Sequence, residues 1–289
     1  PGHDHLAMKN LMRNRYLMLV LFALLGALFA PAALAQVAIT PQIYTIDLGK
    51  ADQTYSFRLM NFSKASIPMT VSVINWTMNA KGDVEPAPLT EQSLAPWLQI
   101  NPTTFTLPAD GSQVVRFAIR PAVPLSPGEH RAMIYFSQQA EGQQPKGTFR
   151  VLFRLGAAVY ARVPPYTMQG EILSARLDAH GVSFEVRNTG NATARMIGDY
   201  VVWKKGAVPA GSPWPAQLGQ PTFKPPLGLA ASGALPLDAD LPGLTRSVRL
   251  EFEDKKGLAP GAYVLFLRGT FGTPSITREL GFTVAPAAH

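Results

Sequence analysis

The sequence predicts an all-β protein: two β-sandwiches in tandem behind a short leader. Three observations carry this expectation. Short apolar runs with period-two alternation recur along the chain, punctuated by proline and glycine. No stretch after the first 35 residues shows helical periodicity. A block of residues in the first half is echoed in the second at one constant offset.

The leader comes first. From Met8 the chain reads MKNLMRNRYLMLVLFALLGALFAPAALAQ, with Lys9, Arg13 and Arg15 as a basic region and Tyr16 to Ala30 as an apolar stretch. Ala33-Leu34-Ala35 then forms a small-residue cleavage site, so residues 1–35 read as upstream sequence plus a signal peptide cleaved after Ala35. The rival reading, an uncleaved anchor, has a borderline apolar length and does not explain the cleavage site. The expected location is the periplasm, with no membrane insertion after cleavage. His3 and His5 precede Met8 and carry no weight as ligands.

The 289 residues contain no cysteine, so in an oxidising compartment the fold is expected to rest on core packing alone. Lys and Arg number 26 against 19 Asp and Glu; without residues 1–35 the balance is 23 against 18. No basic run is interleaved with aromatics, which argues against a nucleic-acid partner.

The strands follow in order. VAITPQIYTIDL, TYSFRLMNF, IPMTVSVINW, WLQINPTTFTL, SQVVRFAIRP and HRAMIYFSQ are each short, apolar on one parity and bounded by turn residues. The echo pairs SFRLMNFSKAS, residues 56–66, with SFEVRNTGNAT, residues 183–193. It aligns Ser56 with Ser183, Phe57 with Phe184, Asn61 with Asn188 and Ala65 with Ala192, and its offset also carries Trp76 onto Trp203. Pro127-Gly128 before HRAMIYF finds a counterpart in Pro260-Gly261 before YVLFLRG. Each Asn ends a strand, where a turn conformation suits it, and the tryptophans are expected in the core. The expected domains are 36–163 and 164–289, divided at the paired prolines of ARVPPYT.

One stretch stands out. FRVLFRLGAAVYARVPP, residues 149–165, places Phe149, Val151, Phe153 and Leu155 on one parity and Arg150, Arg154 and Arg162 on the other. Fully extended, 149–163 would span roughly 50 Å at about 3.3 Å per residue, far beyond an ordinary strand. On residues alone, a core strand with solvent-facing arginines competes evenly with an apolar edge kept for a partner.

Catalytic and metal chemistry find little support. His130, His180 and His289 have no metal-spaced partner, and neither a G-x-S-x-G elbow nor a cysteine nucleophile exists. Asp238 with Asp240, and Glu251 with Glu253 and Asp254, are the nearest carboxylate groupings, too sparse for calcium. The chain is read as a non-enzyme without cofactor or metal.

Four stretches resemble the periplasmic pilus-assembly chaperones of the chaperone–usher pathway, the PapD-like family. VAITPQIYTIDLGKADQTYSFRLMNFSKASIPMTVSV is similar to the family's opening strands, and LQINPTTFTLPADGSQVVRFAI to its I-x-P-x-x-x-x-L and Q-x-V-R segment. PGEHRAMIYFS resembles, in a diverged form, the family's signature before its penultimate strand, and the Phe149 stretch sits where the family has the long final strand of its first domain. The likeness spans about residues 37–165; the second half agrees in position and fold. It implies two immunoglobulin-like sandwiches and a chaperone that caps pilin-like subunits by donating Phe149, Val151, Phe153 and Leu155, then delivers them to an outer-membrane usher. The family's basic pair for a subunit's C-terminal carboxylate falls at Gln42–Ile43 and Ala157–Ala158, none of them basic; Arg154 and Arg162 are the candidate anchors. Two alternatives stand beside this reading. One is a structural or adhesive sandwich protein. The other is a carbohydrate-binding protein with Trp203, Trp214 and Phe223 as its platform, although SPWPAQLGQPTFKPP reads more readily as a covering loop that tucks Trp214 against the sandwich.

Overall fold

The structure is a computed structural model, and it describes residues 36–48, 54–140, 152–252 and 257–286. Apart from a 3-10 turn at Ala95–Trp97, its regular elements are strands. The first eleven are β1 (Val37–Thr40), β2 (Ile43–Asp47), β3 (Thr54–Asn61), β4 (Ile67–Ile74), β5 (Trp76–Met78), β6 (Val84–Pro86), β7 (Leu98–Asn101), β8 (Thr104–Leu107), β9 (Ser112–Ile119), β10 (Gly128–Gln138) and β11 (Arg154–Val163). The remainder are β12 (Gly170–Leu177), β13 (Gly181–Asn188), β14 (Met196–Lys204), β15 (Leu229–Ala234), β16 (Thr245–Glu251), β17 (Gly261–Phe271) and β18 (Ser275–Val284).

Two sheets enclose the first core, in the orders β1-β3-β9-β7 and β2-β11-β10-β4-β8, while β5 and β6 form a separate hairpin. The run VAITPQIYTIDL is therefore two strands in different sheets. Pro41 lacks an N–H for either ladder and lies at the point where the chain crosses over. Phe57, Leu59, Val115 and Phe117 face Ala132, Ile134, Phe136, Ala157 and Val159 across this core. The Phe57, Phe117 and Phe136 rings lie 5.2–5.5 Å apart in stacked and edge-on pairs. Burying each contributes about 1.5–3 kcal/mol, and with no cysteine such packing holds the fold.

Sheets β12-β13-β16 and β15-β14-β17-β18 enclose a second core around Phe184, Tyr200, Val202, Leu265 and Leu267. The internal echo extends to individual hydrogen bonds. Asn61 closes β3: its Nδ2 donates to the carbonyls of Ala65 (2.8 Å) and Pro108 (2.9 Å), and its Oδ1 accepts from the Ser63 N–H (2.9 Å). Asn188 closes β13 in the same way, donating to Ala192 (2.9 Å) and Asp240 (2.6 Å) and accepting from the Gly190 N–H (2.9 Å). Each amide thus ties a strand end to its own turn and to a distant loop. Trp76 and Trp203 are both 1% exposed, in line with a packing role.

A third cluster lies between the sandwiches, where Trp76, Met133, Ala158 and Tyr160 pack with Leu241. It explains why β10 and β11 are buried on both faces for part of their length. Ala157, Val159 and Ala161 face the first core, and Ala158 and Tyr160 face this junction. Burial holds the Tyr160 phenol up at about 12.

Candidate strand-capture edge

The stretch singled out in the sequence ends as β11, hydrogen-bonded to β10 over its whole length with Ser137 opposite Arg154 and Gly128 opposite Val163. The parallel neighbour on its other side, β2, pairs only with Ala158–Arg162 and stops at Ile43. Residues 154–157 therefore have a partner on one side and none on the other among the described residues. The gap arises because the chain comes from β1 of the other sheet and joins this one only after Pro41.

The register fixes which backbone groups the gap exposes. The Gln138 N–H donates to the Phe153 carbonyl at 3.1 Å, so Phe153, Leu155 and Ala157 direct their polar groups at β10. Arg154 and Gly156 direct theirs the other way. The same parity appears further along, where the Ala158 N–H donates to the Gln42 carbonyl at 3.0 Å and the Leu48 N–H to the Arg162 carbonyl at 2.7 Å. An incoming strand continuing the line of β2 would meet the N–H and C=O of Arg154 and Gly156.

Of the four apolar residues singled out above, Phe149 and Val151 lie outside the described residues. Phe153 and Leu155 are half-buried against the rim of the first core. They share a parity with Ala157, Val159 and Ala161, which lie inside it, so one apolar face runs along β11 and off the end of the sandwich. Among the described residues the strand begins at Arg154, with Leu152 and Phe153 just before it. Leu152 (44% exposed) and Ile43 (50%) flank the gap as apolar surface, a role for which the sequence singled out neither. Ile43 could have been suspected, since it opens the run cut off by Pro41.

The two arginines differ in their freedom. Arg162 donates from Nε to Glu129 Oε2 at 3.3 Å, with Glu129 fully buried. The same carboxylate accepts from the N–H of Thr193 at 3.1 Å and from its hydroxyl. The Arg162 guanidinium is thereby committed to joining the two sandwiches. Arg154 is exposed, lies 4.5 Å over the Tyr135 ring and donates to Ser137 Oγ at 3.1 Å. The positions where the resemblance places a basic pair meet in space: Ile43 lies directly opposite Ala158.

Other candidates fall elsewhere. His130 is buried, with Nε2 2.8 Å from the Ser126 carbonyl, and His180 lies exposed in the turn before β13. Asp240 is tied to Arg246 at 2.5 Å, with Asp238 3.9 Å from the same guanidinium, an arrangement of ion pairs. Burial pushes the Asp240 carboxyl up, and Arg246 opposes that shift. Glu253, Asp254 and His289 lie outside the described residues. The sugar platform does not assemble: Trp203 is 1% exposed and donates from Nε1 to the Pro213 carbonyl at 2.8 Å, pinning the proline-rich loop. Trp214 is half-buried with the Arg268 guanidinium 4.2 Å over its ring, as expected of a covering loop.

No family model matches the chain, and no curated protein matches it. Among solved structures it is similar to the class 5 fimbriae chaperone CfaA at 13% identity, covering 87% of this chain and 100% of that one, with a TM-score of 0.44. The Pseudomonas aeruginosa CupB2 chaperone is 11% identical over 84% of this chain and 98% of its own, with a TM-score of 0.38. A chain of the Salmonella enterica complex of SafA pilin with SafB chaperone gives 12%, 87%, 98% and 0.39.

Proposed function

We propose that this protein is a periplasmic chaperone that captures incomplete β-sandwich subunits of the pilin type along the open edge of β11, for delivery to an outer-membrane usher. The observation that carries the reading is the gap beside residues 154–157, where an apolar side-chain face and a backbone edge unpaired among the described residues leave the sandwich together. An edge with both properties invites strand addition, and a secreted protein retains one where a partner covers it. Main-chain bonds at Arg154 and Gly156 would supply affinity. Phe153 and Leu155, continued by Val151 and Phe149, would fill alternate pockets of the subunit and set its register. The exposed Arg154 is then the better placed of the two arginines for a subunit carboxylate, because Arg162 is already paired with Glu129.

Co-purification with a small exported subunit encoded nearby tests this, comparing wild type with Arg154→Ala and Arg154→Pro. Both variants remove the guanidinium, but only proline removes the outward N–H, and it leaves the ladder to β10 intact. The expected result is retention of the subunit by Arg154→Ala, weakened at most a few-fold, and its loss from a folded Arg154→Pro protein. Equal retention by both would refute strand addition at this edge. Phe153→Glu in a protein that still folds is expected to lose the subunit as well.

A further inference from the structure

We infer that the β5–β6 hairpin is a clasp that fixes the orientation of the two sandwiches, independently of any partner. Its base belongs to the junction. Trp76 is buried there, and Met78 packs beside it against a cluster that includes Leu241 and Leu244, in the segment leading into β16. Its tip reaches β16 itself. Among the described residues β16 is an edge strand of the second sandwich, paired only with β13 within its sheet, and the outward N–H of Ser247 donates to the Ala80 carbonyl at 2.9 Å. One backbone bond from the hairpin therefore covers an edge that would otherwise stand open.

The tip is built to hold that carbonyl in place. Asn79 Oδ1 accepts from the N–H groups of Lys81 (2.9 Å) and Asp83 (3.0 Å), while its Nδ2 donates to Asp83 Oδ2 (3.0 Å) and Glu85 Oε1 (2.9 Å). Gly82 turns the chain at φ +89°, and a Cβ there would stand 2.6 Å from Arg246 Nη1, so the guanidinium lies against bare backbone. Arg246 is 5% exposed and paired with Asp240. The tip thus roofs a buried ion pair of the other sandwich. Near the connection at Pro164, the contacts of Glu129 with Arg162 and Thr193 make a second fastening. A single fastening leaves rotation free about itself; two separated fastenings remove it.

The test replaces residues 78–84 by Asn-Gly in the full chain, a two-residue turn that closes on the opposed pair Thr77 and Glu85, which has the hydrogen-bonded parity of Asn79 and Asp83. Because the chain has no cysteine, Lys64→Cys and Thr277→Cys place one spin label on each sandwich without background. The expected result is a narrow distance distribution in the parent that broadens at least two-fold in the shortened hairpin, with calorimetric unfolding splitting from one transition into two. An unchanged distribution and a single transition would overturn the clasp. If the shortened chain does not fold, amide exchange in the parent decides: Ser247 protected within ten-fold of the ladder-bonded amides of β16 supports the clasp, and free exchange at Ser247 overturns it.

Discussion

Replacing Asn188 by alanine is expected to be among the most damaging single changes in the second sandwich. The amide is fully buried and satisfies three backbone groups: the carbonyls of Ala192 and Asp240 and the N–H of Gly190. Alanine leaves all three without that partner. At about 1 kcal/mol for each bond, and somewhat more for each group left dry, the loss comes to about 3–4 kcal/mol. Asn61, 2% exposed, makes the equivalent three bonds and also accepts from the Ser63 hydroxyl (2.8 Å), but its bonds lie nearer the surface, where water can replace some of them, so Asn61→Ala should cost about 2–3 kcal/mol. Urea unfolding followed by tryptophan fluorescence measures both, with an expected midpoint fall of about 1–2 M for Asn188→Ala. A loss below about 1 kcal/mol at Asn188, or a larger loss at Asn61, would refute the idea that these amides are equivalent ties graded by burial.

Other outcomes follow from particular contacts. Hydrogen bonds from Arg249 hold the Asp178 carboxyl down at about 2, against an ordinary 3.8. Because the folded value is the lower, the stabilisation is present above the unfolded value and disappears as pH falls from about 4 to 2; Asp178→Asn should flatten that limb of an acid titration followed by circular dichroism. Since the side chain is 54% exposed, the effect should be small and shrink in salt. Trp203→Phe removes the bond to the Pro213 carbonyl and should speed tryptic cleavage after Lys205 several-fold, whereas an unchanged rate would mean that the loop is held elsewhere.

Much of the architecture could be read from alternation and punctuation, because half-buried strands such as β3 and β9 show one apolar parity each. Asn61 and Asn188 were legible as equivalent, since both the offset and the strand-end position are sequence properties. The pairing of Arg162 with Glu129 was not: they stand 33 residues apart, and only the register of β10 against β11 brings them together. That register changes what the parity argument could see in Arg162, which alternates like a solvent-facing residue while its guanidinium closes a junction. The run GAAVYA blurs alternation for the same reason, with both faces covered. The docking of the β5–β6 hairpin on Ser247 depends on the placement of a strand 167 residues beyond Ala80, which no local pattern encodes.

Amide hydrogen exchange along β11, with and without a captured subunit, tests the central claim most directly. In the free protein, Leu155 and Ala157 should exchange slowly because they bond to β10, while Arg154 and Gly156 exchange quickly at the open edge. On capture the account predicts that Arg154 and Gly156 slow by at least ten-fold, with Leu155 and Ala157 little changed. A subunit bound tightly while Arg154 and Gly156 still exchange freely would contradict it, and would place the binding surface away from this edge.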